Sequence, residues 1–317
     1  MNRPHVTVVI ETITTRFDSS NGSLVNDLQI ILEALNKQTY PRELIEQIVV
    51  VDDEVSPHDV EELRRRHPAV KLVWSPANNY FAAKNAGTEA ATGGVVALLD
   101  GDCKPAPDWL EALLAPLTSG VAAVGGCTRY TGGSWAARTF SIPDFAYILA
   151  DENGAASGFN INNVAFPREV LLHHPFDTRI SRNGGCYFLF HQLRAEGARV
   201  LYESRAVVAH GIDIDGLGFM RKHFERGRDG VAVYRLDDQA ILRGTRAFRR
   251  FGGLALAPIT GRRILLDWMR LLRHRRQIGI RLFALPYFAA IAFLLRTIEL
   301  TGGLMAVLTS TLSNRRD

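Results

Sequence analysis

The chain has 317 residues with an ordinary share of hydrophobic (47%) and charged (22%) side chains, enough for one sizeable α/β core with a smaller appended region, or for two modest domains. Its net charge is only +4, and the basic excess is local, because residues 243–281 are rich in arginine and contain a single acid. The three cysteines form neither a CxxC pair nor an even set, which excludes a disulfide framework or a thiolate zinc site as the expected architecture and favours a reducing compartment.

Four short apolar runs in the first hundred residues predict strands of a parallel sheet that is covered on both faces, because they are rich in β-branched residues and lack polar alternation. The runs are VTVVI (6–10), IVVV (48–51), VKLVW (70–74) and VVALL (95–99). The first run is too short for a secretory signal, so we interpret it as a strand and expect this part of the chain to stay in the cytosol.

Helical patterns lie between these strands. Ser23 is the predicted cap of a helix whose apolar residues fall on one face. Ser56 and Pro57 open a second helix, and an alanine-rich third is predicted from Phe81 to Ala91. With right-handed crossovers, the alternation of strands and helices predicts a doubly wound α/β sheet flanked by helices.

Polar residues follow three of the four strands, at the edge where doubly wound sheets bind their ligands. They are Glu11 and Thr12 after the first strand, Asp52 and Asp53 after the second, and Asp100 and Asp102 after the fourth. No GxGxxG follows the first strand, so nucleotide binding would have to use carboxylates and a cation.

The order of several segments resembles the family 2 glycosyltransferases, which have the GT-A fold with a mixed sheet, over roughly residues 6 to 235. The segments are VTVVIETIT, IVVVDDE, NNYFAAKNAGTEAATGG, VALLDGD, NVAFPREVL, PFDTRI and RAVVAHG. VALLDGD corresponds to the DxD motif of the family, and Lys84 stands where the family has an arginine. The segment 200–210 is predicted to be a strand or strand pair that carries His210 at its end.

This resemblance implies metal-dependent transfer of a sugar from a nucleotide diphosphate. Asp102 would ligate Mn²⁺ or Mg²⁺ and His210 would complete the metal shell, because a divalent cation stabilises the charge that the leaving diphosphate gains. Lys84 would face the diphosphate as a point charge, and Asn163 would lie on the acceptor side. The residues that would bind a UDP-, GDP- or dTDP-sugar are Glu11, Thr12, Asp52, Asp53, Lys84 and Asp100.

The sequence departs from the family where a catalytic base is expected. Gly185 and Cys186 occupy the places of an acidic pair that inverting members carry, and neither can serve as a carboxylate base. Three explanations are open: the acceptor is already an anion such as a lipid phosphate, another carboxylate substitutes, or the protein does not catalyse transfer. The candidate substitutes are Asp177, Asp213 and Asp215.

The C-terminal third predicts helices that attach to a membrane. In RRILLDWMRLLRHRRQ (262–277) apolar residues occupy one helical face and arginines the other, which is typical of a helix in an anionic membrane surface. The run LFALPYFAAIAFLL (282–295) is shorter than the ~20 residues of a span, and Arg296 and Glu299 separate it from a second apolar run. The two runs could form a re-entrant or interfacial hairpin, one tilted span with paired charges, or a soluble helical pair.

We therefore predict a GT-A glycosyltransferase domain over residues 1–235 and a basic amphipathic and apolar helical region, attached to the membrane, over residues 236–317. The predicted activity is sugar transfer to a lipid-linked or cell-envelope glycan acceptor at the cytoplasmic face of the cell membrane. The alternative is a catalytically altered protein that binds nucleotide sugar or lipid as a scaffold. A nucleotidyltransferase would need a phosphate loop that is not found, and nucleic-acid binding is disfavoured because aromatics do not interleave with the arginines.

Overall fold

A computed structural model of the chain describes residues 3–14, 24–75, 79–131, 139, 148–211 and 216–313. The chain divides into two compact units. The first unit comprises Met1–Gly132, Ile148–Ser181 and Gln192–Asp213, and the second comprises Gly133–Tyr147, Arg182–His191 and Ile214–Asp317. The second unit therefore takes in more of the chain than the helical region predicted from residue 236.

The first unit is built on a mixed eight-stranded sheet. Its strands are β1 (Val6–Glu11), β2 (Ile45–Val51), β3 (Lys71–Trp74), β4 (Val95–Asp100), β5 (Cys103–Pro105), β6 (Val121–Thr131), β7 (Asn163–Pro167) and β8 (Arg199–Gly211). The spatial order is β3-β2-β1-β4-β7-β6-β8-β5. The first four strands in the chain pair in parallel, while β7 is antiparallel to both β4 and β6, and β5 is antiparallel to β8. The mixed, doubly wound sheet predicted from the sequence is confirmed.

Helices flank this sheet. They are α1 (Leu24–Asn36), a 3₁₀ turn (Arg42–Leu44), α2 (Pro57–Arg66), α3 (Tyr80–Ala90), α4 (Trp109–Leu114), α5 (Arg168–His173) and α6 (Gly185–Ala195). Helix α6 belongs to the second unit up to His191 and to the first unit from Gln192. The predicted cap of α2 is confirmed, because Ser56 Oγ accepts a hydrogen bond of 3.1 Å from the backbone N–H of Asp59. The predicted cap of α1, Ser23, lies outside the described residues.

Close packing of α3 on the sheet positions Lys84. β1 and β4 are buried along their whole length, so helices must cover both faces. A Cβ added to Gly87 of α3 would lie 2.2 Å from Cγ1 of Val9, so only glycine lets the helix approach this closely. Lys84 lies one turn before Gly87 on the same face, which directs its side chain toward the sheet.

The second unit is helical beyond residue 215. Its helices are α7 (Gly216–Leu236), α8 (Thr245–Phe251), a 3₁₀ turn (Gly252–Ala255), α9 (Leu256–Ile278), a 3₁₀ turn (Leu282–Ala284) and α10 (Leu285–Ser313). The alternative of a hairpin between two short apolar segments is wrong, because α10 runs without interruption through Gly302 and Gly303. Among the described residues, Leu282–Ser310 is long and apolar enough to cross a membrane, judged by length and composition alone.

Candidate active site

The carboxyl ends of β2, β1 and β4 meet at one edge of the sheet. Glu11 at the end of β1 is in register with Val50 on one side and with Asp100 on the other. Neighbouring strands lie about 4.8 Å apart, so the polar residues that follow them surround one small region. The sheet thus brings Glu11, Thr12, Asp52 and Asp100 together, as their positions after the strands predicted.

Asp100 is held from beneath by α3. Lys84 Nζ lies 2.7 Å from Asp100 Oδ1 and also donates to the backbone carbonyl of Leu99 at 2.8 Å. The hydroxyl of Tyr80 donates to the same Oδ1 at 2.7 Å. We predicted that Lys84 faces the diphosphate as a point charge. In the structure its side chain is completely buried and faces Asp100 instead. Its charge is instead used inside the protein, where it neutralises Asp100 and orients its carboxylate.

Asp102 and His210 lie next to each other just beyond the end of β4. Strand β5 pairs with β8 with Cys103 opposite His210, which brings His210 Nε2 to 3.3 Å from Asp102 Oδ2. His210 Nδ1 lies 2.8 Å from the carbonyl oxygen of Gly211. A carbonyl oxygen can only accept, so Nδ1 carries a proton and Nε2 is the ring nitrogen that faces Asp102.

These two side chains suit a divalent cation. Asp102, Cys103 and His210 place their potential ligand atoms within 4.8 Å of one another. Carboxylate oxygen and imidazole nitrogen suit Mn²⁺, whereas Mg²⁺ prefers oxygen and keeps water in its shell. Burial raises the pKa of the Cys103 thiol, which therefore stays protonated and donates to Asp102 Oδ1 at 3.3 Å. Asp102 and His210 are thus the residues that could hold the ion, with Cys103 as a packing residue beneath them.

Glu11 indirectly supports the turn formed by Asp100, Gly101 and Asp102, called the DGD turn below. Its carboxylate is fully buried and accepts hydrogen bonds from the backbone N–H of Thr14, at 3.0 Å, and from the hydroxyl of Thr14. The same hydroxyl oxygen accepts from the backbone N–H of Gly101 at 3.3 Å. The predicted contact of Glu11 with the nucleotide is therefore replaced by a structural role, in which Glu11 positions Thr14 against the peptide between the two aspartates.

Burial raises the pKa of Glu11 from 4.5 to about 7, with Lys84 lowering it and Asp100 raising it. Folded Glu11 therefore stays protonated at a pH where the unfolded residue is ionised, and wild-type stability falls as pH rises from about 4.5 through 7. Glu11→Gln cannot titrate, so its stability relative to wild type should increase by about 3 kcal/mol between pH 4.5 and pH 8. Urea denaturation at both pH values measures this. Equal pH dependence of the two proteins would contradict it, and the exposed Glu43→Gln is the control that should follow wild type.

The aspartate pair after β2 is split between two environments. Asp52 is buried and its Oδ1 accepts from the backbone N–H of Glu54 at 3.0 Å. Asp53 is exposed, and its Oδ1 accepts from Trp74 Nε1 at 3.0 Å. Thr12 is buried and its hydroxyl donates to the carbonyl of Val50 at 3.1 Å. Asp53 is therefore the member of this group that most directly borders solvent.

Asn163, expected on the acceptor side, is fully buried at the start of β7. Its Oδ1 accepts from Trp109 Nε1 at 2.8 Å, and its Nδ2 donates to the carbonyl of Ala206 at 3.0 Å. Both polar atoms of the amide are thus engaged within the protein. This side chain joins α4, β7 and β8, and its geometry gives no support for an acceptor contact.

Of the three candidate bases, only Asp177 lies among the described residues. Asp177 forms a two-pronged pair with Arg179, with Nε at 2.9 Å from Oδ1 and Nη2 at 2.6 Å from Oδ2. The hydrogen bonds from Arg179 lower the pKa of Asp177, which makes its carboxylate a weak proton acceptor. Asp213 and Asp215 lie outside the described residues. Gly185 and Cys186 begin α6, so no carboxylate stands at the family's usual position in this helix.

Three residues that contact the site were not predicted from the sequence: Tyr80, Thr14 and Trp74. Tyr80 lies four residues before Lys84 on α3, so helical spacing could have identified it as a second partner of Asp100. Thr14 contacts Glu11 three residues before it, but its contact with Gly101 joins residues 87 positions apart, and no sequence pattern marks that contact. Trp74 bonds Asp53, which follows a different strand.

Comparisons with known proteins agree with this geometry. A family model described as Glycosyl transferase family 2 matches residues 24–173. The sequence is 34% identical over 248 residues to glycosyltransferase AglE of Haloferax volcanii, covering 74% of this chain and 76% of AglE. The chain belongs to glycosyltransferase family 2.

One further curated protein and one solved structure are similar to this glycosyltransferase. Glucosyl-dolichyl phosphate glucuronosyltransferase of Haloferax volcanii is 28% identical over 200 residues, which cover 56% of this chain and 62% of that protein. The solved mannosyltransferase PcManGT of Pyrobaculum calidifontis is 19% identical and has a TM-score of 0.55, covering 93% of this chain and 88% of its own. The structural similarity shows that the fold of the glycosyltransferase is GT-A.

Proposed function

We propose that this glycosyltransferase transfers a sugar from a UDP-, GDP- or dTDP-sugar to a lipid-linked or cell-envelope glycan acceptor, with Mn²⁺ or Mg²⁺, at the cytoplasmic face of the cell membrane. The observation that carries the proposal is the pair Asp102–His210, 3.3 Å apart, immediately beyond the strand end that carries the Lys84-supported Asp100. PcManGT, the structural relative, was solved in complex with GDP-Man and Mn²⁺, which supports both the donor class and the metal.

The residues have distinct roles in this proposal. Asp102 and His210 would hold the cation, which when bound supplies Lewis-acid stabilisation of the leaving diphosphate. Asp100, fixed through Oδ1 by Lys84 and Tyr80, would offer its other oxygen to the ribose or to water on the metal. The exposed carboxylate of Asp53, oriented by Trp74, would accept hydrogen bonds from the nucleoside. Contacts within the protein would hold these carboxylates in position, which would reduce the reorganisation needed during transfer.

The acceptor proposal rests on Gly185 and Cys186 at the position of the family's acidic pair and on the name of one relative. The name of that relative, glucosyl-dolichyl phosphate glucuronosyltransferase, refers to a sugar carried on a lipid phosphate. An acceptor that is itself a phosphate anion needs no base, whereas a hydroxyl acceptor needs one. Transfer to hydroxyl and phosphate acceptors by Asp177→Asn, Asp213→Asn and Asp215→Asn separates the cases. Undiminished transfer to a hydroxyl acceptor in all three variants would exclude each of these residues as the base.

The donor proposal predicts a metal-dependent stabilisation. One of UDP-, GDP- or dTDP-sugar, together with Mn²⁺, should raise the melting temperature, since a ligand at a hundred times its Kd adds about 2.7 kcal/mol to the stability of the folded state. A thermal-shift panel with and without Mn²⁺ measures this. His210→Ala should lose the Mn²⁺-dependent part of the shift. If no nucleotide sugar stabilises the wild-type protein under any metal condition, the proposed function is overturned.

Membrane attachment is supported by the second unit. Helix α10 is apolar enough to enter a bilayer, and the stretch 243–281 supplies arginines for anionic headgroups. An enzyme that modifies a lipid-linked acceptor gains from being held at the surface where that acceptor is confined. Sedimentation of the full chain with anionic vesicles tests attachment separately from catalysis.

A further inference from the structure

Both charged residues of α10 are satisfied within the second unit. Arg296 Nε lies 2.7 Å from Asp267 Oδ2 on α9, and its Nη1 lies 2.8 Å from Glu299 Oε2. Glu299 also contacts His223 Nδ1 on α7, at 2.8 Å, and Arg263 Nη2 on α9, at 2.9 Å. The side chains of Glu299 and Asp267 are each only 2% exposed. The face of α10 that carries both charged residues therefore packs against α7 and α9.

The opposite face of α10 is an uncharged apolar stripe, which begins in the 3₁₀ turn before the helix and recurs at helical spacing. Its exposed members are Phe283, Tyr287, Phe293, Leu294, Leu304, Met305 and Leu308. Helix α9 exposes a similar face, formed by Leu265, Trp268, Met269 and Leu272. Trp268 Nε1 donates to the carbonyl of Ala289 at 3.0 Å, which places the two faces side by side. Soluble proteins rarely expose a contiguous apolar surface of this extent without a partner.

Helix α7 prevents α10 from being surrounded by lipid. A Cβ on Gly227 of α7 would lie 1.9 Å from the carbonyl oxygen of Glu299, and one on Gly302 of α10 would lie 2.0 Å from that of Phe224. Further along, Arg235 donates to Ser310 Oγ at 2.6 Å. The two helices thus run together from Glu299 to Ser310. The ionic residues of α7 are Arg221, Lys222, Glu225, Arg226, Arg228, Asp229 and Arg235.

A crossing α10 would carry α7 into the hydrocarbon core. Each charged residue at the centre of a bilayer costs about 2.5–3.5 kcal/mol even on the most lenient scale, and α7 carries seven. A helix in the plane of the membrane avoids this cost, because only its apolar stripe enters the acyl region. Arginines on and after α9 fit such a placement, since anionic headgroups would lie beside them. The exposed ones are Arg262, Arg273, Arg276 and Arg281.

We infer that α9 and α10 lie in the plane of one anionic phospholipid leaflet, with the apolar stripe at the boundary between headgroups and acyl chains, and that α10 does not cross the bilayer. This inference specifies the membrane attachment under the proposed function and rests on it. It does not depend on the donor or the metal. The partner surface is the bilayer itself, with phosphatidylglycerol-type headgroups matching the arginines.

Tryptophan depth in vesicles tests the placement. Residues 283 and 308 are separated by about 37 Å along the helical path, longer than the ~30 Å hydrocarbon thickness, so a crossing helix must put them near opposite surfaces. Phe283→Trp, Phe293→Trp and Leu308→Trp are bound to phosphatidylcholine/phosphatidylglycerol vesicles that carry lipids brominated at defined acyl depths. The quenching added over wild type should report the same shallow depth, about 5–10 Å, at all three positions. Tryptophan at 293 near the midplane, with the other two shallow, would overturn the inference.

Charge substitutions on the stripe provide a second measurement. Phe293→Asp and Met305→Asp should each weaken vesicle binding at least about tenfold, because an apolar side chain would no longer be buried in lipid. Leu217→Asp is the matched control, since Leu217 is an exposed apolar residue of α7 outside the stripe, and it should bind as wild type does. An equal loss in the control would overturn the assignment of the surface. Absence of vesicle binding by the wild type would overturn membrane attachment as well, and would leave the proposed sugar transfer standing.

Discussion

Asp102→Asn is expected to lower kcat for sugar transfer by about three orders of magnitude, with little change or a slight rise in melting temperature. The substitution removes the carboxylate that lies 3.3 Å from His210 Nε2, and with it one of the two proposed protein ligands of the cation. Losing one preorganised electrostatic contact to a developing anion costs about 10²–10³ in rate. Stability should not fall, because the variant also removes a negative charge close to Asp100.

The matched control is Asp108→Asn, which changes an exposed aspartate at the start of α4 that makes no capping hydrogen bond. It should keep wild-type kcat. The measurement is release of the nucleoside diphosphate at saturating Mn²⁺, with whichever of the three sugar nucleotides supports transfer. Asp102→Asn activity within threefold of wild type would show that this carboxylate does not hold a catalytic cation.

Lys84→Met is expected to lower the free energy of unfolding by about 3–5 kcal/mol, the cost of leaving a buried charge without its partner. Lys84 is fully buried and is the cation beside both Asp100 and Glu11 in this cluster. Replacing it leaves the Asp100 carboxylate, which also accepts from the neutral donor Tyr80, without its cation. Transfer activity should also fall, since Asp100 would no longer be held in one orientation.

Lys71→Met tests whether this loss is specific. Lys71 is a half-exposed lysine whose Nζ donates to the carbonyl of Ala90 and lies 3.9 Å from Glu46. Removing it should cost about 1 kcal/mol or less. Urea denaturation at pH 7 compares the two variants. Equal losses would mean that Lys84 contributes no more than a surface lysine and that the buried cluster is not balanced by its charge.

Local pattern was sufficient to predict the framework of the first unit. The apolar runs that begin at Val6, Ile48 and Val95 were recognisable because strands covered on both faces lack a regular alternation of polar and apolar residues. The structure extends β2 back to Ile45. The position of Asp100 and Asp102 directly after such a strand predicted an anionic pocket at its carboxyl end. The alternation of elements predicted parallel pairing of the N-terminal strands, so the meeting of Glu11, Asp52 and Asp100 at one edge followed from chain order.

The direction of individual side chains could not be predicted in the same way. The family resemblance assigned Lys84 to the diphosphate and Asn163 to the acceptor side, yet both are buried and bonded within the protein. A lysine on an alanine-rich helix has the same sequence signature on either face. Its direction was set by the approach of α3 to β1 at Gly87, which is a property of the packed structure.

The partners of the charged residues in the apolar helix α10 could not be predicted from the sequence either. Arg296 and Glu299 interrupt the hydropathy of the last segment, and the sequence left a hairpin, a span and a helical pair as alternatives. The structure excludes the hairpin, and the partners of these two charges, Asp267 and His223, are 29 and 76 residues away in the chain. Because both charged side chains have buried partners within the protein, the helix can continue through this part of the sequence.

The sequence by itself determined the class of the protein, the strand ends that carry its carboxylates, and the amphipathic character of its C-terminal helices, since each depends on residues that are neighbours along the chain. Only the tertiary structure decided that Lys84 and Glu11 support the DGD turn from within, that His210 reaches Asp102, and that the charges of α10 face α7 and α9. Those contacts join residues far apart in the chain, and their energies depend on burial and distance, which exist only once the elements have packed.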